Sequence, residues 1–435
     1  MRAQPSIGFA AALIAAGVLS ASRPAVGQVE SDSCLTCHAA LTGPLATPAQ
    51  GFAEDVHAQA GFGCAACHGG DPTVAGLGAM DAEKGYIGIP EAREVPDLCG
   101  RCHSNAGFMR QYDPALRVDQ VAEYVTSVHG QQLLGAEDQA VATCASCHRA
   151  HSIRPASDPR SSVHPLNVAA MCGGCHSDAE RMEPYGIPTN QLTEYERSVH
   201  WHTMSEGGDT SAPTCNDCHG NHGAAPPGVS WVGNVCGQCH VVMANYFEES
   251  HHSQTFTTLG VPGCAFCHRN HDVQPASDEM LGSGDGSICR ACHGAEDSGG
   301  QVAARMHTMI DSLRLEIDSA THVLEAAENA GMEVSASLAS LNDAQSALVM
   351  GRAAVHGFDP EIVAEETEPG REIASTALTR GEEALWDVQV RRIGLAVSVL
   401  IIGALILGLI LKIREIEEPD RPGSQRPHQG SGGAG

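Results

Sequence analysis

All 18 cysteines of the 435-residue chain belong to Cys-x-x-Cys-His motifs. The first cysteines of the nine motifs are Cys34, Cys64, Cys99, Cys144, Cys172, Cys215, Cys236, Cys264 and Cys289. The second cysteines are Cys37, Cys67, Cys102, Cys147, Cys175, Cys218, Cys239, Cys267 and Cys292. The motif histidines are His38, His68, His103, His148, His176, His219, His240, His268 and His293. Two thiols at this spacing form thioether bonds to haem c, and the adjacent imidazole binds the iron. The pattern therefore predicts nine covalently attached haem c groups.

Paired cysteines also serve zinc sites and disulfides, and both alternatives explain this pattern less well. Zinc chemistry does not require a histidine after the second cysteine in every copy. A disulfide framework needs an even number of cysteines in an exported chain, but it gives no role to the histidine either. Haem attachment is the interpretation that uses all three residues of the motif.

Fourteen histidines lie outside the motifs and are candidates for the second iron ligand. Four end a repeated element made of an aromatic residue, two residues, Ser or Asp, one residue and His: they are His57, His129, His200 and His252. Three more extend a motif to Cys-x-x-Cys-His-x-x-His: they are His151, His222 and His271. Asp71 occupies this trailing position after the motif at Cys64. The repeat indicates four two-haem modules behind a single haem at Cys34.

Two further ligands are expected from residues 301–358, where apolar residues recur every three or four positions in two segments. Such a pattern predicts two amphipathic helices, and Gly331 between them predicts the turn of an antiparallel hairpin. His307 lies near the start of the first helix and His356 near the end of the second, so the hairpin brings both to one end. With these two, nine second ligands are available for nine irons.

The remaining histidines leave some alternatives open. His164, in Ser-Ser-Val-His before Cys172, is a possible replacement for one of the nine, and His251 competes with His252. His322 is a reserve candidate on the first helix of the hairpin. His202 and His428 are interpreted as surface residues.

The two ends of the chain predict export and membrane attachment. Residues 1–27 have an apolar run of about 13 residues, shorter than the roughly 20 of a membrane span, and a small-x-small site, which is typical of a cleaved signal peptide. Residues 391–413 contain an uncharged apolar run long enough to span a membrane. A helix beginning near Arg371 is expected to lead into this span, unless Pro369 and Gly370 bend it.

These segments divide the chain into a haem domain at 28–300, a helical hairpin and stalk at 301–390, the membrane helix, and a disordered tail at 414–435. If the signal exports the preceding chain, the protein is a single-pass protein of the cytoplasmic membrane. Its haem domain then lies in the periplasm and its C-terminus in the cytoplasm.

The motifs, the Ser-Val-His elements and the Cys-x-x-Cys-His-x-x-His runs resemble the class III multihaem cytochromes c and the related NapC/NrfH-type periplasmic electron carriers. The resemblance covers about residues 34–293. It implies a haem-packed fold, mainly α-helical and irregular with little β-structure, and low-potential irons held by two histidines. NapC/NrfH-type proteins carry four or five haems on an N-terminal anchor, whereas this chain has nine motifs and a C-terminal apolar segment. Direct quinol oxidation is therefore not transferred by the resemblance.

Composition agrees with a haem-packed chain and excludes one class of partner. Aromatic residues make up only 4% of the sequence, so macrocycles are expected to supply the missing apolar bulk. The formal net charge of −27 argues against nucleic-acid binding, which requires cationic side chains to neutralise phosphates. An acidic surface instead favours basic partners and faster encounters at low salt.

Two functions are compatible with these patterns. The favoured function is a membrane-anchored electron relay between a quinol-linked membrane complex, or other respiratory subunits, and periplasmic or outer-membrane acceptors. The alternative is an oxidoreductase of a small nitrogen or sulfur oxyanion with one five-coordinate haem, for which the haem at Cys34 is the candidate. No motif has Lys in place of its histidine, and Lys84 and Lys412 are the only lysines, which excludes a lysine-ligated catalytic haem.

Overall fold

A computed structural model describes residues 32–225 and 235–417, and these residues form helices, turns and loops without a β-strand. The mainly α-helical and irregular fold is confirmed. The predicted signal peptide and most of the predicted C-terminal tail lie outside the described residues. The chain divides into two units, Met1–Gly228 with His268–Pro275 and Val229–Cys267 with Ala276–Gly435.

The described part of the first unit consists mostly of helices of one to three turns. The α-helices are α1 Ser33–Ala39, α2 Thr47–Phe52, α3 Val56–Gln59, α4 Ala65–His68, α5 Val95–His103, α6 Ala106–Met109, α7 Gln120–Thr126, α8 Val128–Leu134, α9 Cys144–His148, α10 Pro165–His176, α11 Ala179–Met182, α12 Gln191–Tyr195, α13 Val199–Ser205 and α14 Cys215–His219. The 3-10 helices are Gly43–Leu45, Gly76–Met80, Ala82–Lys84, Ala92–Glu94 and Glu183–Tyr185. Helices this short are marginal in water, so their stability depends on caps and packing.

The Ser or Asp of the repeated element caps the helix that carries the histidine. The Ser127 Oγ, fully buried, accepts a hydrogen bond of 2.9 Å from the Gly130 amide at the start of α8. Asp55 accepts from the His57 amide at 2.9 Å at the start of α3. An N-cap of this type contributes about 1 kcal/mol to a helix. The sequence repeat therefore has a local physical cause: each copy starts a short helix with the histidine in its first turn.

The aromatic residue of the element fixes the loop ahead of the next motif. The Tyr124 hydroxyl donates to the Ala142 carbonyl at 2.8 Å, two residues before Cys144. The Tyr195 hydroxyl makes the equivalent bond of 2.9 Å to the Pro213 carbonyl, two residues before Cys215. Both tyrosines are buried. Each of these two tyrosines thus connects a histidine helix to a haem motif.

The second unit contains short helices near its motifs and three long helices. The α-helices are α15 Val241–Glu249, α16 His251–Leu259, α17 Gly263–His268, whose last residue belongs to the first unit, α18 Ser298–Asn329, α19 Ser335–Ala354 and α20 Pro360–Glu417. The 3-10 helices are Asp278–Met280, Ile288–Ala291 and Val355–Gly357.

The predicted hairpin is present as α18 and α19. Gly331, with φ of 84°, lies in the left-handed region just after α18, where a side chain would strain the backbone. Apolar residues at three- and four-residue spacing form the core of the hairpin: these include Met306, Ile310, Leu313, Ile317, Leu324, Leu341 and Leu348. Ile310 lies against Gly351, which places the start of α18 beside the end of α19.

The third long helix, α20, packs along this hairpin. It begins at Pro360, eleven residues before the expected start near Arg371, and it continues past Pro369 without a break. A Cβ atom added to Gly370 would lie 2.7 Å from the Ala347 side chain, so the absence of a side chain permits the close approach. The Arg371 guanidinium also pairs with the Glu316 carboxylate at 2.8 Å. Burial along α20 ends at Val388.

Beyond Val388, α20 is apolar and exposed. Its most apolar 18-residue window has a mean hydropathy of 2.9 and no buried residues. The helix is therefore long and apolar enough to cross a membrane, as predicted for residues 391–413.

Candidate haem sites

Six motif histidines face a second imidazole within the described residues. The pairs are His57–His103, His68–His151, His129–His176, His148–His222, His219–His271 and His252–His293. Their ring centres lie 5.9–6.1 Å apart. Two imidazoles that share one metal ion through bonds of about 2 Å have ring centres about 6 Å apart. The residues therefore fit a haem iron between each pair.

The pairs fall into two geometric classes that follow the sequence modules. The trailing histidines lie nearly parallel to their partners, at interplanar angles of 11–18°; these pairs are His68–His151, His148–His222 and His219–His271. The histidines of the aromatic-Ser/Asp-His elements cross their partners at 60–85°; these pairs are His57–His103, His129–His176 and His252–His293.

The trailing histidine of each module faces a motif of the preceding module. His151 follows the motif at Cys144 but faces His68, and His222 follows the motif at Cys215 but faces His148. The histidine of the repeated element instead serves the plain motif of its own module, as in His129 with His176. Sequence reasoning missed this staggered register. The signal for this register in the sequence was the order of the repeated elements along the chain.

The other predicted second ligands are less directly placed. Two of them, His200 and His356, make interactions in the structure, and so do the motif histidines His240 and His268. The His356 Nδ1 donates to the Ala353 carbonyl at 2.9 Å, and burial lowers the pKa of this imidazole. The His307 ring lies beside Gly282, and in the described part of the chain no second imidazole is in ring contact with it. The assignments of His200, His307 and His356 stay predictions.

The alternative histidines have other surroundings. His164 caps α10, where its Nδ1 accepts from the Leu166 amide at 3.3 Å. The His202 Nδ1 pairs with the Glu206 carboxylate at 2.9 Å on the surface. His251 and His322 are exposed. His428 lies outside the described residues.

Backbone carbonyls orient several motif imidazoles. The Nδ1 of His38 donates to the Leu45 carbonyl at 2.7 Å, and the Nδ1 of His68 donates to the Gly88 carbonyl at 2.8 Å. A proton held on Nδ1 leaves Nε2 as the free donor atom for a metal, and the hydrogen bond fixes the ring orientation. These motif histidines are therefore arranged to bind iron through Nε2.

Burial keeps the facing imidazoles in the neutral form that a metal requires. It is the largest cause of the lowered pKa at eight of them: His103, His129, His148, His151, His176, His222, His252 and His271.

Two trailing histidines also have a carboxylate near Nδ1. Glu123 lies 3.7 Å from the Nδ1 of His222, and Glu194 lies 3.6 Å from the Nδ1 of His271. Both glutamates directly precede the aromatic residue of a repeated element. In the first module the equivalent residue is Gly51, which lies against the His151 carbonyl. A carboxylate in this position increases the basicity of the ligand imidazole.

The cysteines of consecutive motifs are neighbours within each unit. In three places an interaction between the first cysteines of consecutive motifs shifts the pKa of their thiols: the pairs are Cys99 with Cys144, Cys172 with Cys215 and Cys236 with Cys264. Electrostatic interactions link further pairs: Cys34 with Cys64, Cys67 with Cys102, Cys147 with Cys175, and Cys267 with Cys289. None of the eighteen cysteines, all of which lie in the described residues, forms a disulfide, and no cluster of three or more candidate metal-binding side chains occurs in the same part of the chain.

Comparison with known proteins agrees with the motifs. The family model for cytochrome c3 matches residues 56–177, and the model for cytochrome c554 and c-prime matches residues 16–69 and 235–312. The C-type polyheme cytochrome OmcB, in two strains of Geobacter sulfurreducens, is 25% identical over 279 residues, which cover 58% of this chain and 31% of OmcB. The chain therefore aligns with about a third of the length of these relatives. No solved structure matches. These similarities support a multihaem c-type cytochrome, a protein that carries covalently bound haem and transfers electrons.

Proposed function

We propose that the protein is a nonahaem cytochrome c that carries electrons from a quinol-linked membrane complex to periplasmic or outer-membrane acceptors. Each Cys-x-x-Cys-His motif holds one haem through two thioethers. The motif histidine and, at most irons, a second histidine bind the metal. The bound haem supplies the one-electron chemistry, while the chain determines the spacing and surroundings of the irons.

The paired imidazoles support a relay over an enzyme. An iron closed on both faces by histidine has no position for a substrate, so it exchanges electrons with its neighbours. The pair His148–His222 illustrates this arrangement, with nearly parallel rings whose centres lie 6.1 Å apart. The same closure recurs at six of the nine motifs.

The contacts between cysteines of consecutive motifs carry the proposal. A macrocycle attached at Cys99 is expected to lie next to one attached at Cys144, because the side chains of the two cysteines interact. The same argument applies to the haems at Cys172 and Cys215. Within each unit the haems are thus expected to follow one another in sequence order, which gives electrons a continuous path.

The apolar end of α20 supports attachment to a membrane. Its exposed segment follows Arg391 and Arg392 and is followed by Lys412, as in a single-pass anchor. With an N-terminal export signal, the haems would lie in the periplasm and the C-terminus in the cytoplasm. An anchored haem protein can receive electrons from a membrane complex without diffusing away. The net charge of −27, increased by haem propionates, would favour basic partners on the periplasmic side.

The membrane coupling can be tested by comparing the full chain with a variant that ends after Arg392. Mass analysis should find nine haem adducts on both proteins. In membrane vesicles supplied with a quinol-reducing substrate, haem reduction in the full chain should be fast and should stop when quinol oxidation is inhibited. The truncated protein should be released from the membrane and reduced more slowly. Equal reduction rates for both proteins, or reduction insensitive to the inhibitor, would contradict a quinol-linked donor.

A further inference from the structure

The first motif differs from the others in the surroundings of its histidine. The His38 ring is oriented like other motif imidazoles, with Nδ1 donating to the Leu45 carbonyl at 2.7 Å. No second histidine ring is in contact with it in the described part of the chain, which contains every histidine except His428. Six other motif histidines have such a partner, and His240 and His268 also make interactions in the structure.

The staggered register explains why His38 lacks a partner. The trailing histidine of one module faces the motif of the preceding module, as His151 faces His68. The motif at Cys34 precedes the first module, so the residue in register with its iron is the trailing residue of that module. That residue is Asp71. The chain therefore has a carboxylate where the other modules have an imidazole.

The Asp71 segment still lies against the first motif. The Ser33 amide donates to the Pro72 carbonyl at 3.0 Å, and the Ser33 hydroxyl donates to the Val74 carbonyl at 2.6 Å. In an inner module the segment after the trailing histidine is held instead by the element helix, where the Val128 amide donates to the Ala224 carbonyl at 3.0 Å. The trailing segment of the first module thus lies beside the first motif, but it carries no imidazole.

The Asp71 carboxylate is occupied by other partners. It accepts from the Lys84 ammonium at 2.9 Å and from the Thr73 hydroxyl at 2.6 Å. These bonds, with Lys84 as the largest contributor, lower the pKa of Asp71 to about 2. A carboxylate held by an ammonium group and a hydroxyl is a poor candidate for closing a haem iron.

We propose that the haem attached at Cys34 and Cys37 is five-coordinate, with His38 as its protein ligand, and that its open position binds a small neutral diatomic molecule such as carbon monoxide or nitric oxide. A ferrous haem with one free axial position binds such molecules, whereas irons closed by two histidines exclude them. This inference rests on the haem loading proposed above. It assigns a ligand-binding site to one end of an otherwise closed series of haems.

Carbon monoxide binding to the reduced, purified full chain tests the site. We expect one molecule bound per chain of nine haems. A variant with Cys34→Ala and Cys37→Ala should carry eight haems by mass and bind none. The matched control, with Cys289→Ala and Cys292→Ala, should also carry eight haems but should still bind one, because it loses a haem whose motif His293 faces His252.

The outcomes separate the two proposals. If the peptide with Cys34 and Cys37 carries no haem, the haem count and the open site both fail. If the peptide carries haem but the full chain binds no carbon monoxide, only the open site fails, and a different side chain closes the iron. Binding that survives the loss of Cys34 and Cys37 also overturns the assignment.

Discussion

Replacing His222 with alanine tests the geometry of the facing imidazoles. His222 and His148 have ring centres 6.1 Å apart and an interplanar angle of 14°. Loss of His222 removes the second ligand of the haem attached at Cys144 without touching its thioether bonds. The haem should therefore remain attached while its iron becomes high-spin.

The size of the spectroscopic change follows from the two classes of pairs. Nearly parallel imidazole planes separate the iron d orbitals in energy and give a rhombic low-spin EPR signal. Crossed planes bring those orbitals close together and give a single feature at large g. Three described pairs are nearly parallel, so the variant should lose at most one third of the rhombic intensity. The high-spin component should rise by one haem in nine.

The assay is EPR of the oxidised protein, with haem content fixed by mass and carbon monoxide binding to the reduced protein as a second measurement. His202→Ala is the matched control, because His202 is not one of the facing imidazoles and pairs with Glu206 on the surface. It should leave the spectrum unchanged. His129→Ala should instead reduce the large-g feature, because His129 crosses His176 at 60°.

An unchanged rhombic signal in the His222 variant would refute the pairing with His148. Loss of the large-g feature instead of the rhombic signal would refute the assignment of pair geometry to spectral class. Loss of a haem from the mass of the variant would show that His222 is needed for attachment, which the two thioether bonds do not predict.

Three further substitutions test packing, capping and titration. Leu313→Ala should lower the free energy of unfolding by about 2–5 kcal/mol in denaturant titrations followed by circular dichroism, because Leu313 is fully buried. Leu315→Ala, at a site 49% exposed, should change it by less than about 0.5 kcal/mol. Ser127→Ala should cost about 1 kcal/mol in the same assay, because the cap of α8 is lost, and an unchanged stability would contradict that role. Burial raises the pKa of Tyr124 from 10.0 to about 12, so its stabilising contribution is complete below pH 10 and is lost as the pH rises towards 12. Tyr124→Phe should remove this alkaline loss, whereas Tyr112→Phe, at an exposed site, should retain it.

Local chemistry explains what could be predicted from the sequence. The Cys-x-x-Cys-His motifs and the Ser or Asp before each element histidine act over a few residues, so their spacing is visible directly. The heptad-like spacing of Met306, Ile310 and Leu313 likewise predicts the buried face of α18, which the structure contains. Fold class and the hairpin follow from such local patterns.

The pairing of imidazoles could not be predicted in the same way. His68 and His151 meet although they lie in different modules, and no local spacing connects them. Their approach depends on contacts such as the Val56 amide donating to the Ile153 carbonyl at 2.9 Å. These contacts arise from packing of whole segments, which motif analysis does not describe.

The course of α20 shows a second limit of prediction from sequence. Proline inside a helix removes a backbone hydrogen bond and crowds the preceding turn, so Pro369 suggested a break. The structure keeps the helix continuous, because Gly370 next to it allows tight packing on Ala347 and Leu313. Tertiary packing here outweighs the tendency of Pro369 to interrupt a helix, a tendency that the sequence correctly indicates.

The staggered register has a consequence for how such a chain can change in length. Each inner module gives one imidazole to the module before it and receives one from the module after it. Duplicating or deleting a whole inner module would therefore leave the remaining facing imidazoles of the described modules with partners. Only the motifs at the two ends of the array would need ligands from outside the modules. The long helices α18, α19 and α20 follow the last motif, at one of these ends. Tandem growth by gene duplication is thus compatible with intact coordination at every step.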